Sequence, residues 1–257
     1  MSCKMLKLKC MIKKNKSFKN LIIILVFVFI ASALFLYWFW SLGAINLQQN
    51  NRVVLKVVQG NVFVKHLNNE PEKVTSTIDL NVNDVVKTGS DGLAMINVYG
   101  QQVLRMDRDT ELAIKDLKLE PQGKIVSIWN VHNGRVWSRL MKLLDVHSKY
   151  EVLSSDMVAT VRGTAFNFEV TPQDSRVFVD QAGVFVKSKI GEKSFRVLAK
   201  GDKVRVDHKD NKMIYDINSS STMALDARDN EPWFVQNRKL DGDFFDQVHQ
   251  NFLNVLF

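Results

Sequence analysis

Met157 to Val170 reads MVATVRGTAFNFEV, and its alternation decides the fold class. Met157, Ala159 and Val161 share one face at period two, and Phe166, Phe168 and Val170 share a face beyond the glycine. A glycine inside such a run marks a bulge, a sharp bend or a close backbone approach. The spacing predicts one long strand, bent at Arg162-Gly163-Thr164, crossing the centre of an all-β domain.

Similar runs surround it from Val53 to about Ile217. They include NVFVK at Asn61–Lys65, LAMINVY at Leu93–Tyr99, RVFVD at Arg176–Asp180, VFVK at Val184–Lys187 and KVRV at Lys203–Val206. Turn residues punctuate them at Asp91-Gly92, Gln122-Gly123, Asn133-Gly134, Ala182-Gly183 and Asp210-Asn211. Asn133-Gly134 between apolar flanks predicts a hairpin. Ser138–Val146 (SRLMKLLDV) reads as one or two helical turns at most. This spacing predicts a mainly β domain, a β-sandwich or jelly-roll-like barrel. Two turns also echo each other: Leu80-Asn-Val-Asn-Asp84-Val-Val86 and Leu198-Ala-Lys-Gly-Asp202-Lys-Val204. Their unequal intervals argue against a solenoid and for one turn-and-strand device used twice.

These pieces carry a family resemblance in their order. Gly60-x-Val62-x-Val64, Leu80-x-x-Asn83-Asp84-x-Val86-x-Thr88-Gly89-Ser90, Asn133-Gly134-Arg135-Val136, Val161-Arg162-Gly163-Thr164-x-Phe166, Ala182-Gly183-Val184 and Leu198-Ala-Lys-Gly201-Asp202 together resemble the FecR-type domain. Val161, Arg162, Gly163, Thr164 and Phe166 form its family motif and are read as structural. Asn83 stands where the family usually has glycine, and asparagine also tolerates left-handed geometry. The resemblance implies an extracytoplasmic β module. Signalling members carry a substantial tryptophan-containing cytoplasmic domain that binds a sigma factor. Here a short lysine tail stands in that place, so the direct anti-sigma role is not carried over.

Residues 1–20 hold seven lysines (Lys4, Lys7, Lys9, Lys13, Lys14, Lys16 and Lys19) and no acid, against a net charge of +8 for the whole chain. The remainder is therefore nearly neutral and shows no nucleic-acid footprint. Leu21 to Trp40 carries no charge, the apolar character runs on to about Ile45, and Tyr37, Trp38 and Trp40 sit at its far end. Such a stretch predicts a single membrane span over 21–45, with aromatic rings at the headgroup layer and the lysines on the cytoplasmic side. Ser41-Leu42-Gly43 offers the competing reading of a cleaved signal, but the apolar region is longer than about 7–15 residues. Both cysteines, Cys3 and Cys10, lie in the tail, leaving no disulfide or cysteine metal site beyond it. The domain boundaries expected are a basic tail at 1–20, a span at 21–45, a linker at 46–52, the β domain at 53–217, and a linker with helices at 218–257.

The period changes near the C-terminus. Asn230, Glu231 and Pro232 suit a helix start, and Phe244, Phe245, Val248 and Phe252 give an apolar stripe. Gly242 predicts a break into two short helices near Asp241-Gly242. Trp233 and that stripe either pack back on the β domain or dock a partner. Asp241, Asp243 and Asp246 lack the EF-hand order and read as a helix-start cluster.

No catalytic or metal-binding residues and no cofactor are assigned. His66, His132, His147, His208 and His249 are scattered without ligand spacing. Lys87-Thr88-Gly89 lacks the companion motifs of a serine hydrolase. Arg162 has a guanidinium suited to carboxylates or phosphates, yet beside a glycine bend a structural pairing is the simpler role. The chain is thus expected to be a single-pass inner-membrane protein with a cytoplasmic N-terminus. Its FecR-like domain, periplasmic or extracellular, acts as a binding or regulatory module for a protein or envelope partner. A self-associating envelope scaffold is the alternative, and an extracytoplasmic enzyme a distant one.

Overall fold

The computed structural model describes residues 23–38, 51–67, 69–120, 123–141, 147–190, 195–210, 212–216 and 231–243. The chain divides into two compact units, Met1–Asn50 and Asn51–Phe257. In the first, a helix, α1, covers residues 23–38. Its side chains are exposed and apolar, from Ile23 through Phe27 and Phe29 to Trp38. Among the described residues no helix is long and apolar enough to cross a membrane. The described part of the expected 21–45 span covers about 24 Å at about 1.5 Å per residue. Residues 21–22 and 39–45 lie outside the described residues.

The second unit is built from strands. The first eight are β1 (Val53–Gln59), β2 (Val62–Lys65), β3 (Glu72–Val74), β4 (Thr77–Asp79), β5 (Val85–Thr88), β6 (Leu93–Val98), β7 (Gln102–Met106) and β8 (Glu111–Leu119). Then follow β9 (Ile125–Leu140), β10 (Lys149–Leu153), β11 (Met157–Val161), β12 (Ala165–Val170) and β13 (Asp174–Gln181). β14 (Val184–Ser188), β15 (Phe195–Leu198), β16 (Lys203–Asp207) and β17 (Lys212–Asp216) complete the order. Pairing arranges them in two rows. The front row runs β4–β1–β6–β7–β9–β12–β13–β16–β17. The back row runs β3–β2–β5–β8–β9–β10–β11–β14–β15. All these pairs are antiparallel except β9 with β10.

The mainly β expectation holds, but the sheets are not the separate ones of a sandwich or jelly roll. β9 belongs to both rows, so the described strands form one open, hydrogen-bonded system of seventeen. Its first half, to Asn133, pairs with β8 and β10, and Gly134 onward pairs with β7 and β12. The predicted Asn133-Gly134 hairpin is therefore a kink inside a continuous strand. Gly134 takes φ +89°, and an added Cβ would sit 2.5 Å from the Thr110 Cα. Asn133 Nδ2 donates to the Asp109 carbonyl at 2.8 Å. The dipeptide supplies the left-handed conformation and close approach that a kink needs, as well as a turn would. Ser138 to Leu140 close β9 rather than start a helix, and 142–146 lie outside the described residues.

One apolar core joins both rows, with Leu55, Leu104, Val136, Phe166 and Phe168 from the front and Val62, Leu112, Trp129, Tyr150 and Val186 from the back. Fully burying a side chain of this size contributes about 1.5–3 kcal/mol. Two polar pairs bridge the rows inside it, while among the described residues Gln102 Nε2 and Trp129 Nε1 are buried without a hydrogen-bond partner. Tyr150 Oη donates to Ser138 Oγ at 2.8 Å, and Ser127 Oγ donates to Gln102 Oε1 at 2.7 Å. Burial pushes the Tyr150 phenol well above its ordinary pKa, so it stays a neutral donor.

The echoed turns are the same object. Asn81 N–H donates to Asp84 Oδ2 and Ala199 N–H to Asp202 Oδ2, each at 2.7 Å. Asn83 and Gly201 take φ +73° and +88°. Their N–H groups donate to the Ile114 and Val179 carbonyls, whose own N–H groups return to the Asp84 and Asp202 carbonyls. One turn opens β5 in the back row and the other opens β16 in the front row.

The opening stretch bends as expected, yet its halves are two strands in different rows. β11 lies between β10 and β14, and β12 between β9 and β13. Arg162 to Thr164 carry the chain across. Gly163 takes φ +121°, a region nearly closed to residues with a Cβ. The Thr164 carbonyl accepts from Leu140 N–H at 3.0 Å, and its Oγ1 donates to the Gly183 carbonyl at 2.9 Å. Gly163→Val is expected to cost about 1–3 kcal/mol. At this size that lowers the melting temperature by roughly 2–4 °C per kcal/mol. An unchanged thermal unfolding curve would refute the bend.

Candidate functional site

The outer face of the front row carries the second described helix, α2, residues 232–243. Pro232 opens it, where its missing N–H costs nothing, and Val235 N–H closes the first turn on the Glu231 carbonyl at 3.2 Å. Phe234, Asn237 and Asp241 are buried at i, i+3 and i+7, the spacing of one helical face. Phe234 meets Trp137 and Phe178 edge-on, with centroids 5.9 and 5.4 Å apart. Edge-to-face pairs are worth about 0.5–1.5 kcal/mol beyond burial.

Polar contacts fasten both ends of α2. Trp233 Nε1 donates to Asn167 Oδ1 at 3.0 Å, and the Arg135 guanidinium sits 5.1 Å from its ring centre. Arg135 also donates to Asp107 Oδ2 at 2.5 Å and to Glu231 Oε2 at 2.8 Å. Burial pulls its pKa down, but these carboxylates outweigh it and leave the pKa above its ordinary value. At the other end Asp241 accepts from Arg105 Nη1 at 2.5 Å and from Trp137 Nε1 at 2.9 Å. Arg105 and Asp241 are 7% and 3% exposed, so this is a buried ion pair with its second oxygen satisfied.

α2 includes Asp241 and Gly242 and is described to Asp243; the expected second helix lies outside the described residues. Asp241 is not part of a helix-start cluster; it lies in the last described turn and holds it to the sheet. Trp233, a candidate docking residue, is packed against Asn167 and Arg135. Asn230, Asp246, Phe244, Phe245, Val248 and Phe252 lie outside the described residues.

Beside the first turn of α2, the outer faces of β12, β13, β16 and β17 leave a groove of about 630 Å³. Phe178 and Ile214 supply apolar surface, Glu169 and Glu231 line it too, and Arg176, Lys203 and Arg205 bring cations. Arg176 and Arg205 are direct cross-strand partners, as are Phe178 and Lys203. Arg176 Nη2 donates to Asp174 Oδ2 at 2.7 Å, whereas Arg205 Nη1 stands 3.9 Å from the same oxygen. Lys203 Nζ lies 5.4 Å from the centre of the Phe178 ring. Charged and apolar groups thus lie side by side in one groove. These cations sit in RVFVD and KVRV, which alternation identified as strands, but the outward face was not read as a site.

The family-motif residues do other work. Val161 and Phe166 are core, Thr164 is buried in the crossing, and Arg162 is exposed on it. His208 approaches a buried acid, with Nε2 3.1 Å from Asp156 Oδ2. Ser154 and Ser175 donate to Asp156 Oδ1 at 2.5 and 2.6 Å, and His208 Nδ1 lies 3.1 Å from the Pro172 carbonyl. Neither ring nitrogen faces a hydroxyl, so this cluster does not have the geometry of an activated nucleophile. Among the described residues no three His, Cys, Asp or Glu side chains gather as a metal site.

Residues 84–185, from the residue before β5 into β14, match the family model described as FecR protein. Two crystal structures of a protein described as an anti-sigma factor from Parabacteroides distasonis ATCC 8503, at 2.50 and 1.65 Å, are similar at 13% identity and a TM-score of 0.44. The similarity covers 52% of this chain and 59% of that one, so the chain spans less than two thirds of that structure. Among curated proteins none matches.

Removing one partner of the buried ion pair strands the other, at a cost of about 3–5 kcal/mol. Asp241→Ala is expected to lose that much in chemical denaturation. Arg105→Ala with Asp241→Ala should lose less than the sum of the single changes. Additive losses would mean that the two residues do not act together.

Proposed function

We propose that this chain is a membrane-held regulatory binding module, whose FecR-type β domain grips a protein or cell-envelope partner. The match of residues 84–185 to the FecR model carries the reading. The groove beside α2 supports it, since it offers charged and apolar surface to a ligand. The exposed apolar side chains of α1 and the lysines of residues 1–20 support membrane attachment, with the tail cytoplasmic and the domain outside. A fold alone does not supply a task, so partner capture is the decisive measurement. Cross-linking of the tagged full chain in intact cells, followed by purification, should recover a second protein in fixed proportion. Recovery of the chain alone would sink this reading.

That outcome would favour a scaffold built of copies of the chain. The observation behind this second reading is strand β15, at the end of the back row. Phe195 and Val197 are 67% and 71% exposed there, with Phe185 stacked 5.8 Å from Phe195. Exposed apolar edges are where sheets join edge to edge.

Topology has its own test. Protease added to spheroplasts should digest the β domain and leave a membrane-bound fragment that keeps the lysine tail. Loss of the tail with an intact domain would reverse the orientation.

A further inference from the structure

We infer that the groove beside α2 takes an extended acidic segment of a protein partner, laid over the outer faces of β13, β16 and β17; this rests on the binding-module reading and names the partner's chemistry. Two observations lead there. First, Arg176 and Arg205 stand directly opposite each other on one sheet face, an arrangement that like charges disfavour. Asp174 binds Arg176 closely but reaches Arg205 only at 3.9 Å. The Arg205 side chain remains 49% exposed at the groove. An incoming carboxylate relieves this repulsion, and a guanidinium receives it in a bidentate fork.

Second, the cations lie in a line that an extended chain can follow. Register pairs Lys203 with Phe178 and Asp216, and Arg205 with Arg176 and Ile214. Lys203 and Arg205 are thus successive outward positions on β16. An extended segment lying over this face sets alternate side chains, all acidic, against them, with the residues between turned away from the sheet. Glu169 and Glu231 set the limit on the α2 side, where they face Arg176 and Arg135 and would repel an acid laid that far.

The test uses the full chain in detergent and a fluorescein-labelled peptide of alternating glutamate and valine, with its lysine–valine counterpart as control. Fluorescence anisotropy should show that the acidic peptide binds and the basic one does not, with affinity falling as salt rises. Lys203→Glu with Arg205→Glu should weaken binding by at least about tenfold. Should that variant melt early, Arg205→Gln, at the exposed position, should still weaken it measurably. Equal binding of the two peptides, or of wild type and variants, overturns the inference. So does binding that appears only in Asp226→Asn with Asp229→Asn, since the groove would then belong to the chain's own connection at 217–230. A cross-linked partner retained by the double variant would also overturn the groove while leaving the binding module standing.

Discussion

Strand β9 is the hinge of the whole β domain. Its hydrogen bonds reach β8 and β10 in the back row and β7 and β12 in the front. Every other described strand pairs within one row. The kink at Gly134 lets one backbone serve both, since only a residue without a Cβ fits against Thr110. Trp129 from one half and Val136 from the other then point into the same core. The outward Trp137, two residues from Arg135, becomes the platform on which α2 sits.

The second crossing, at Gly163, complements the first. It leads the chain from the back row to the front in three residues and is tied at both sides, to Leu140 and to Gly183. Two crossings and a twice-used aspartate turn allow a long series of short strands to bury one core from both sides. The shared turn shows what is being reused: a carboxylate that closes on a backbone N–H three residues earlier, and a left-handed residue just before it. That residue is asparagine once and glycine once, because both accept the geometry.

Much of this was legible in the amino-acid order, and the limits are specific. Alternation located the strands around Asn61, Leu93, Arg176 and Val184 because period two depends on neighbours along the chain. Asn133-Gly134 misled because a hairpin turn and a strand kink demand the same backbone conformation; the difference lies in Thr110, far away in sequence. Asp241 reads as part of a helix-start cluster because its partners, Arg105 on β7 and Trp137 on β9, are far away in sequence. The groove was hidden longest. Arg176, Lys203 and Arg205 look like ordinary outward positions until register sets them side by side.

Sharing β9 also couples the lifetimes of the two rows. If each row had its own strands, either could open while the other stayed closed, and its amides would exchange with solvent on their own schedule. Here β9 is paired on both flanks from Val126 to Asn130 in one row and from Val136 to Arg139 in the other. Releasing its amides along the whole strand means parting both rows, so their exchange reports on opening of the entire domain. The short outer strands β3 and β4 can fray without that cost. The domain thus combines a slow-opening centre with faster margins.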